Sequence, residues 1–297
     1  MVIVKLMGGL GNQMFQYAFG KAMSSKLKTN LYLDRSFLDS QNVTKHGFTP
    51  RNFELSIFNL SANIANKKIV ELFYKRSVIN ALKRKLSLPY RKNYAEKIFA
   101  FDLNASIQKL PVYFSGFWQT EQYFESIAET IRKDFQFNVA MDSQTEVIAR
   151  EIVNCNSVSI HFRRGDYLTS IVTREIHGIC SLDYYLSAKQ VIDEKVNPDK
   201  YFIFSDDIEW VKQNFQAPLD KSVFVNHNTG INSWQDMYLM SLCKHNIVAN
   251  SSFSWWGAWL NANQNKQVVA PEPWFISKEP FFDMKDIVPK SWIRIPL

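Results

Sequence analysis

The chain has 297 residues, 46% of them hydrophobic and 21% charged, with 10 Gly, 10 Pro and a formal net charge of +7. That length suits two domains of about 150 residues, each able to bury a core, and the composition excludes long disordered linkers. Three cysteines without CxxC spacing exclude a disulfide framework and a cysteine zinc site and fit a reducing, cytoplasmic compartment; no apolar run approaches the ~20 residues of a membrane span.

In chain order, Val2–Leu6 reads as a buried strand that enters the loop Met7-Gly8-Gly9-Leu10-Gly11-Asn12. A helix over about 13–27 and a short strand at Asn30–Asp34 complete a strand–glycine loop–helix–strand opening. Residues 60–110 read as helical and basic. Their lysines and arginines fit a solvated helix face; attraction to an anionic membrane surface, a peripheral contact at the inner face, stays open beside it. Nucleic acid does not fit, because no aromatics interleave the basic residues and no binding motif accompanies them. A strand at 112–116 and helices at 121–134 and 143–153 follow. A second series then sets strands at Val158–Arg163, Tyr201–Phe204, Val223–Val225, Asn246–Ala249 and Gln267–Ala270 between helices at 182–194, 207–214, 232–244 and 253–260. Alternating strands and helices predict parallel sheets covered on both faces. The expected architecture is α/β with two Rossmann-like domains, 1–140 with a basic helical insert and 141–297, their sheets facing an interdomain cleft.

Four constellations carry chemistry. Gly8, Gly9 and Gly11 after the first strand let backbone approach a ligand at a helix N-terminus, and Asn12 follows them. The spacing is wrong for a dinucleotide fingerprint, and a tight turn without ligand reads equally well. In His161-Phe162-Arg163-Arg164-Gly165-Asp166, His161 and Arg163 share one side of a strand at its C-terminal end, where a guanidinium can grip phosphate bidentately. For Arg164 and Asp166 an ion pair reads at least as well. Ser205, Asp206 and Asp207 end the next strand and fit a helix cap; no Asp-x-Asp occurs anywhere, so no required metal is expected. Asn250, Ser251 and Ser252 sit where a helix begins, as an anion site or a cap, while Trp255 and Trp259 fall on one face and read as core.

The strings Gly8-Gly9-Leu10-Gly11-Asn12-Gln13-Met14-Phe15-Gln16-Tyr17-Ala18, His161–Tyr167, Phe204-Ser205-Asp206-Asp207 and Asn250–Trp259 resemble, in the same order, the motifs of the α-1,2-fucosyltransferases of glycosyltransferase family 11. The resemblance implies a GT-B architecture, GDP-β-L-fucose as co-substrate, no metal or other cofactor, and inversion at the anomeric carbon. It implies as acceptor the 2-hydroxyl of galactose at the end of an oligosaccharide or lipid-linked glycan. It further implies Arg163 on the β-phosphate, His161 on the nucleoside side and Ser251 and Ser252 on the diphosphate. Asp236 stands where related α-1,6-fucosyltransferases hold guanine by a carboxylate. For the base, Asp166, Glu175 and His177 follow the arginine strand, with Asp166 preferred and Asn12 orienting the acceptor; each also reads as a loop charge. Rival readings are a fucosyltransferase of α-1,6 or protein O-linked specificity and a non-catalytic carbohydrate-binding protein, the latter suggested by eight tryptophans.

Overall fold

The computed structural model describes residues 1–40, 50–74, 77–86, 88, 90–165, 171–216 and 219–297. The chain divides into two compact units, Met1–Asn138 with Glu279–Ile287, and Val139–Lys278 with Val288–Leu297. A second domain running unbroken to the C-terminus therefore needs correcting. Residues 279–287 lie with the first unit because Phe281 and Phe282 pack on Phe99, at 5.1 and 5.4 Å between ring centroids.

The first unit is built on a parallel sheet of order β3-β2-β1-β5-β4: β1 (Val2–Lys5), β2 (Leu31–Asp34), β3 (Asn63–Ile64), β4 (Lys92–Ala95) and β5 (Val112–Ser115). Alternation along the strands sorts the core into two faces. Ile3, Tyr32 and Tyr113 meet helix α3 (Lys67–Tyr74), with α2 (Ser36–Asp39) a single turn before it. On the other face α1 (Leu10–Lys26) comes so close that a Cβ on Gly20 would stand 2.7 Å from Val4 Cγ2. The stretch expected to be wholly helical holds α3 and α4 (Val78–Lys85) but also the two edge strands β3 and β4. Two and four residues long and largely polar, these lack the apolar run by which a buried strand shows itself. Two short helices, α5 (Leu103–Ser106) and α6 (Ala128–Asp134), complete the unit.

The second unit carries a six-stranded parallel sheet of order β11-β10-β9-β6-β7-β8. Its strands are β6 (Ser157–Phe162), β7 (Lys200–Ser205), β8 (Ser222–Val225), β9 (His245–Ile247), β10 (Val268–Glu272) and β11 (Ile293–Pro296). Its helices are α7 (Ser143–Val153), α8 (Ile171–His177), α9 (Leu182–Val196), α10 (Ile208–Asn214), α11 (Trp234–Leu242) and α12 (Ser252–Leu260). Val158, Ile160 and Phe162 pack under α9 and α10, while Phe202 and Phe204 face α7 and α11. From β6 the chain steps outward to β7 and β8, then returns through α11 to the opposite side of β6. The order therefore reverses between β6 and β9, the kind of point where open α/β sheets bind ligands beyond the strand C-termini. The first sheet reverses likewise between β1 and β5.

Candidate functional site

At the reversal in the second sheet the register decides which residues become neighbours. Strand β6 pairs with β9 as far as Ile160↔Ile247, so the stretches that carry Arg163 and Asn250 continue from the C-terminal ends of adjacent strands. On its other flank Phe162 pairs with Ser205, which brings Arg163 opposite Asp206. There the guanidinium Nη1 lies 2.8 Å from Asp206 Oδ2. The other oxygen of Asp206 accepts the backbone N–H of Arg164 at 2.9 Å. Gly165 leaves the space this needs, since a Cβ there would stand 2.8 Å from Asp206 Oδ2. Asp206 thus aims Arg163 and ties down the turn that follows it. Arg164 belongs elsewhere. Its Nε donates to Asp207 at 3.2 Å and its guanidinium lies 3.3 Å from the centre of the Trp210 ring. The ion pair expected within the 163–166 turn is thus found, for Arg164, with Asp207; Asp166, the expected base, lies outside the described residues.

His161 is buried one residue before the strand ends, and its Nδ1 has no hydrogen-bond partner. Burial, helped by the nearby Arg163 charge and opposed by Asp206, holds the imidazole down at about 4, so the ring is neutral near pH 7. A neutral buried ring with an orphaned nitrogen at the C-terminal rim of the sheet is an incomplete polar contact.

Across the reversal, Ser251 caps α12 by accepting the N–H of Phe253 at 3.3 Å, and Ser252 opens the helix. Asn250, expected as part of an anion site or a cap, braces the loop: Nδ2 donates to the His177 carbonyl at 2.7 Å and Oδ1 accepts from the Cys180 thiol at 3.4 Å. Ser205 likewise serves its own turn, with Oγ accepting the N–H of Asp207 at 2.9 Å. Trp255, Trp256 and Trp259 are core. Of the eight tryptophans seven are buried, and the eighth, Trp210, carries Arg164, so none offers the open platform that a carbohydrate-binding module needs.

Further along the same rim Asp236 stands in the first turn of α11 and accepts from Asn228 Nδ2 at 2.8 Å. Burial raises its carboxyl to about 7, against that hydrogen bond. Behind it is a group the sequence did not reveal. The buried Thr145 hydroxyl lies 2.9 Å from His227 Nε2, 3.0 Å from Asp142 Oδ2 and 3.1 Å from Asn228 Oδ1. Only the cap spacing Asp142-x-x-Thr145 signals it in advance.

The first unit treats its glycine loop differently. Gly8 takes φ +77°, and α1 starts at Leu10, three residues earlier than its apolar pattern suggests. The N–H of Leu10, the donor a phosphate would use, is given to Glu54 Oε2 at 2.9 Å. Gln13 donates to the carbonyls of Gly8 and Asn52, both at 2.8 Å, and Gln16 bonds both polar groups of Met7. The loop expected to bind the donor through Gly9 and Gly11 thus carries an internal carboxylate; Glu54 lies in a stretch without periodicity, and nothing in the sequence marks it. Asn12 accepts from Gln119 Nε2 at 2.7 Å, which links the first turn of α1 to the loop after β5. Nearby, Glu96 accepts the N–H groups of Phe117 and Trp118 at 2.7 and 2.9 Å, and burial raises its carboxyl to about 7.

A glycine loop, an arginine strand and a serine-capped helix now stand at the C-terminal ends of two parallel sheets, and the sequence profile of one family, glycosyl transferase family 11, runs through all of them, matching residues 1–296. The chain belongs to glycosyl transferase family 11. It is 38% identical to an α-1,2-colitosyltransferase of Escherichia coli over 99% of this chain and 98% of that one. It is 35% identical to the O-antigen biosynthesis glycosyltransferase WbnK of Escherichia coli over 98% and 99%. In fold it is similar to the fucosyltransferase NodZ from Bradyrhizobium, with a TM-score of 0.50 and 12% identity over 86% of this chain and 91% of that one. The chain is thus a family 11 glycosyltransferase of GT-B-like fold. Among the described residues no helix is long and apolar enough to cross a membrane.

Proposed function

We propose that this glycosyltransferase moves L-fucose from GDP-β-L-fucose to the 2-hydroxyl of a galactose in a glycan, by a single inverting displacement that needs no metal. The observation that supports it is the pairing, at the β6/β9 reversal, of an aimed guanidinium with the start of α12. As the C1–O bond breaks, its electron pair leaves with GDP, and Arg163 and the helix start receive that charge without reorganisation. Asp206 keeps Arg163 in place. Ser251 and Ser252 supply hydroxyls to the diphosphate, and His161 gives its unpartnered Nδ1 to the nucleoside. Asp236, once ionised, accepts the two adjacent N–H groups of guanine. Asn12 orients the acceptor, and the proton released by the acceptor hydroxyl goes to Asp166.

A second reading rests on the 38% identity to an α-1,2-colitosyltransferase: the same reaction with a colitosyl donor in place of the fucosyl one. Transfer from GDP-fucose and from GDP-colitose to a panel of galactosides, with and without EDTA, tests both. The first reading expects an α-1,2-linked fucosyl product that persists in EDTA. A strong preference for GDP-colitose selects the second. Absence of product from either donor, a different linkage, or activity abolished by EDTA and restored by a divalent metal overturns the proposal. A pH–rate profile whose acidic limb is unmoved in Asp166→Asn removes Asp166 as the base.

A further inference from the structure

Helix α4 (Val78–Lys85) buries none of its residues. At 100° per residue, Val78, Ile79, Leu82 and the C-cap Leu86 fall within about 100° of arc. All four are open to solvent, at 86%, 70%, 55% and 58% exposure. Lys83 and Lys85 flank this stripe, one on each side. The opposite face is fastened down: Asn80 Nδ2 donates to the Arg91 carbonyl at 2.9 Å and Asn80 Oδ1 accepts the Arg91 N–H at 2.8 Å. The apolar stripe is therefore held outward and cannot roll into the unit's own core. Between residues 60 and 99 the sequence holds ten basic residues (67, 68, 75, 76, 83, 84, 85, 91, 92 and 97) and two acidic ones, Glu71 and Glu96. Glu96, moreover, is buried.

An apolar stripe edged by lysines on a positively charged segment matches an interface that is apolar below and anionic above. We propose that α4 docks this protein on the anionic surface of a lipid bilayer, lying in the headgroup plane with Ile79 and Leu82 inserted and Lys83 and Lys85 against phosphates. Such a contact is peripheral and reversible, since its few apolar side chains give marginal binding without the charges.

The test is co-sedimentation of the full chain with vesicles of phosphatidylglycerol and phosphatidylcholine, or of phosphatidylcholine alone. Thermal melting and light scattering are run in parallel on the protein and on two paired variants, Ile79→Asp with Leu82→Asp and Lys83→Glu with Lys85→Glu. Binding is expected only to the anionic vesicles, weakening as salt is raised, and falling at least about tenfold in each variant pair with Tm unchanged. The altered side chains are solvent-exposed, so both pairs fold. No binding, equal binding to both vesicle types, or binding indifferent to both pairs overturns the proposal. So does a dimer in solution that the aspartate pair dissolves, because the stripe is then an interface between copies of the chain.

Discussion

The two sheets reverse their strand order in the same way, yet the helix starts at those reversals are used oppositely. After β1, the N–H of Leu10 is taken by Glu54, and Gln13 and Gln16 lock the surrounding loop. After β6 and β9 the rim instead holds Arg163, a neutral His161 with an unsatisfied nitrogen, and the serine-capped start of α12. A glycine-rich turn into a helix is thus not by itself an anion site: where the fold supplies an internal carboxylate, that position is filled. At the second reversal the corresponding place holds a guanidinium fixed by the neighbouring strand, with no such carboxylate on the helix start among the described residues.

Substitutions that remove one rim while sparing the other test this contrast. The largest effect is expected for Arg163→Ala, which should lower turnover ~10²-fold or more, with Arg163→Lys restoring only part, because an ammonium cannot donate two parallel bonds. Near-normal turnover in Arg163→Ala would remove the second rim from the chemistry. Gly165→Ala forces Asp206 away from Arg163 and should weaken GDP binding about tenfold by calorimetry without unfolding the protein, the cost of one charge-assisted hydrogen bond.

Glu54→Ala acts on the first rim. It orphans the amide of the buried Leu10, so stability should fall by ~1–3 kcal/mol in denaturant melts while GDP affinity stays unchanged. Weakened GDP binding with unchanged stability would reverse the assignment of the two rims.

The smallest effect is that of pH. With the Asp236 carboxyl raised to about 7, its ionised form grows as pH rises through that value. GDP affinity should therefore climb by up to about tenfold from pH 6 to 8, relative to Asp236→Asn, which cancels titration of the nucleotide itself. Stability moves the other way. The folded state holds the Asp236 proton more tightly than the unfolded chain does, so this contribution is complete below about pH 4 and lost as pH passes through about 7. Matching pH profiles in the wild type and Asp236→Asn would exclude a role in holding guanine.

The two α/β series were legible in the sequence, because strands buried on both faces must read as apolar runs such as Val2–Leu6 and Tyr201–Phe204. The sequence also singled out Arg163 and Ser251 as groups at a strand end and a helix start, and placed Trp255 and Trp259 in the core, while Asp236 is marked only by the family resemblance. It could not show β3 and β4, since short polar edge strands are specified by their neighbour rather than by their own pattern. Nor could it show how Asn250, Arg164 and Glu54 are employed. Each of these side chains can either meet a ligand or satisfy the backbone, and the choice rests on partners far away in sequence: His177 and Cys180 for Asn250, Asp207 for Arg164, the N–H of Leu10 for Glu54. Periodicity reports which face of an element is buried. Which polar group meets which is decided only when the sheets close and strand register sets β6 between β7 and β9.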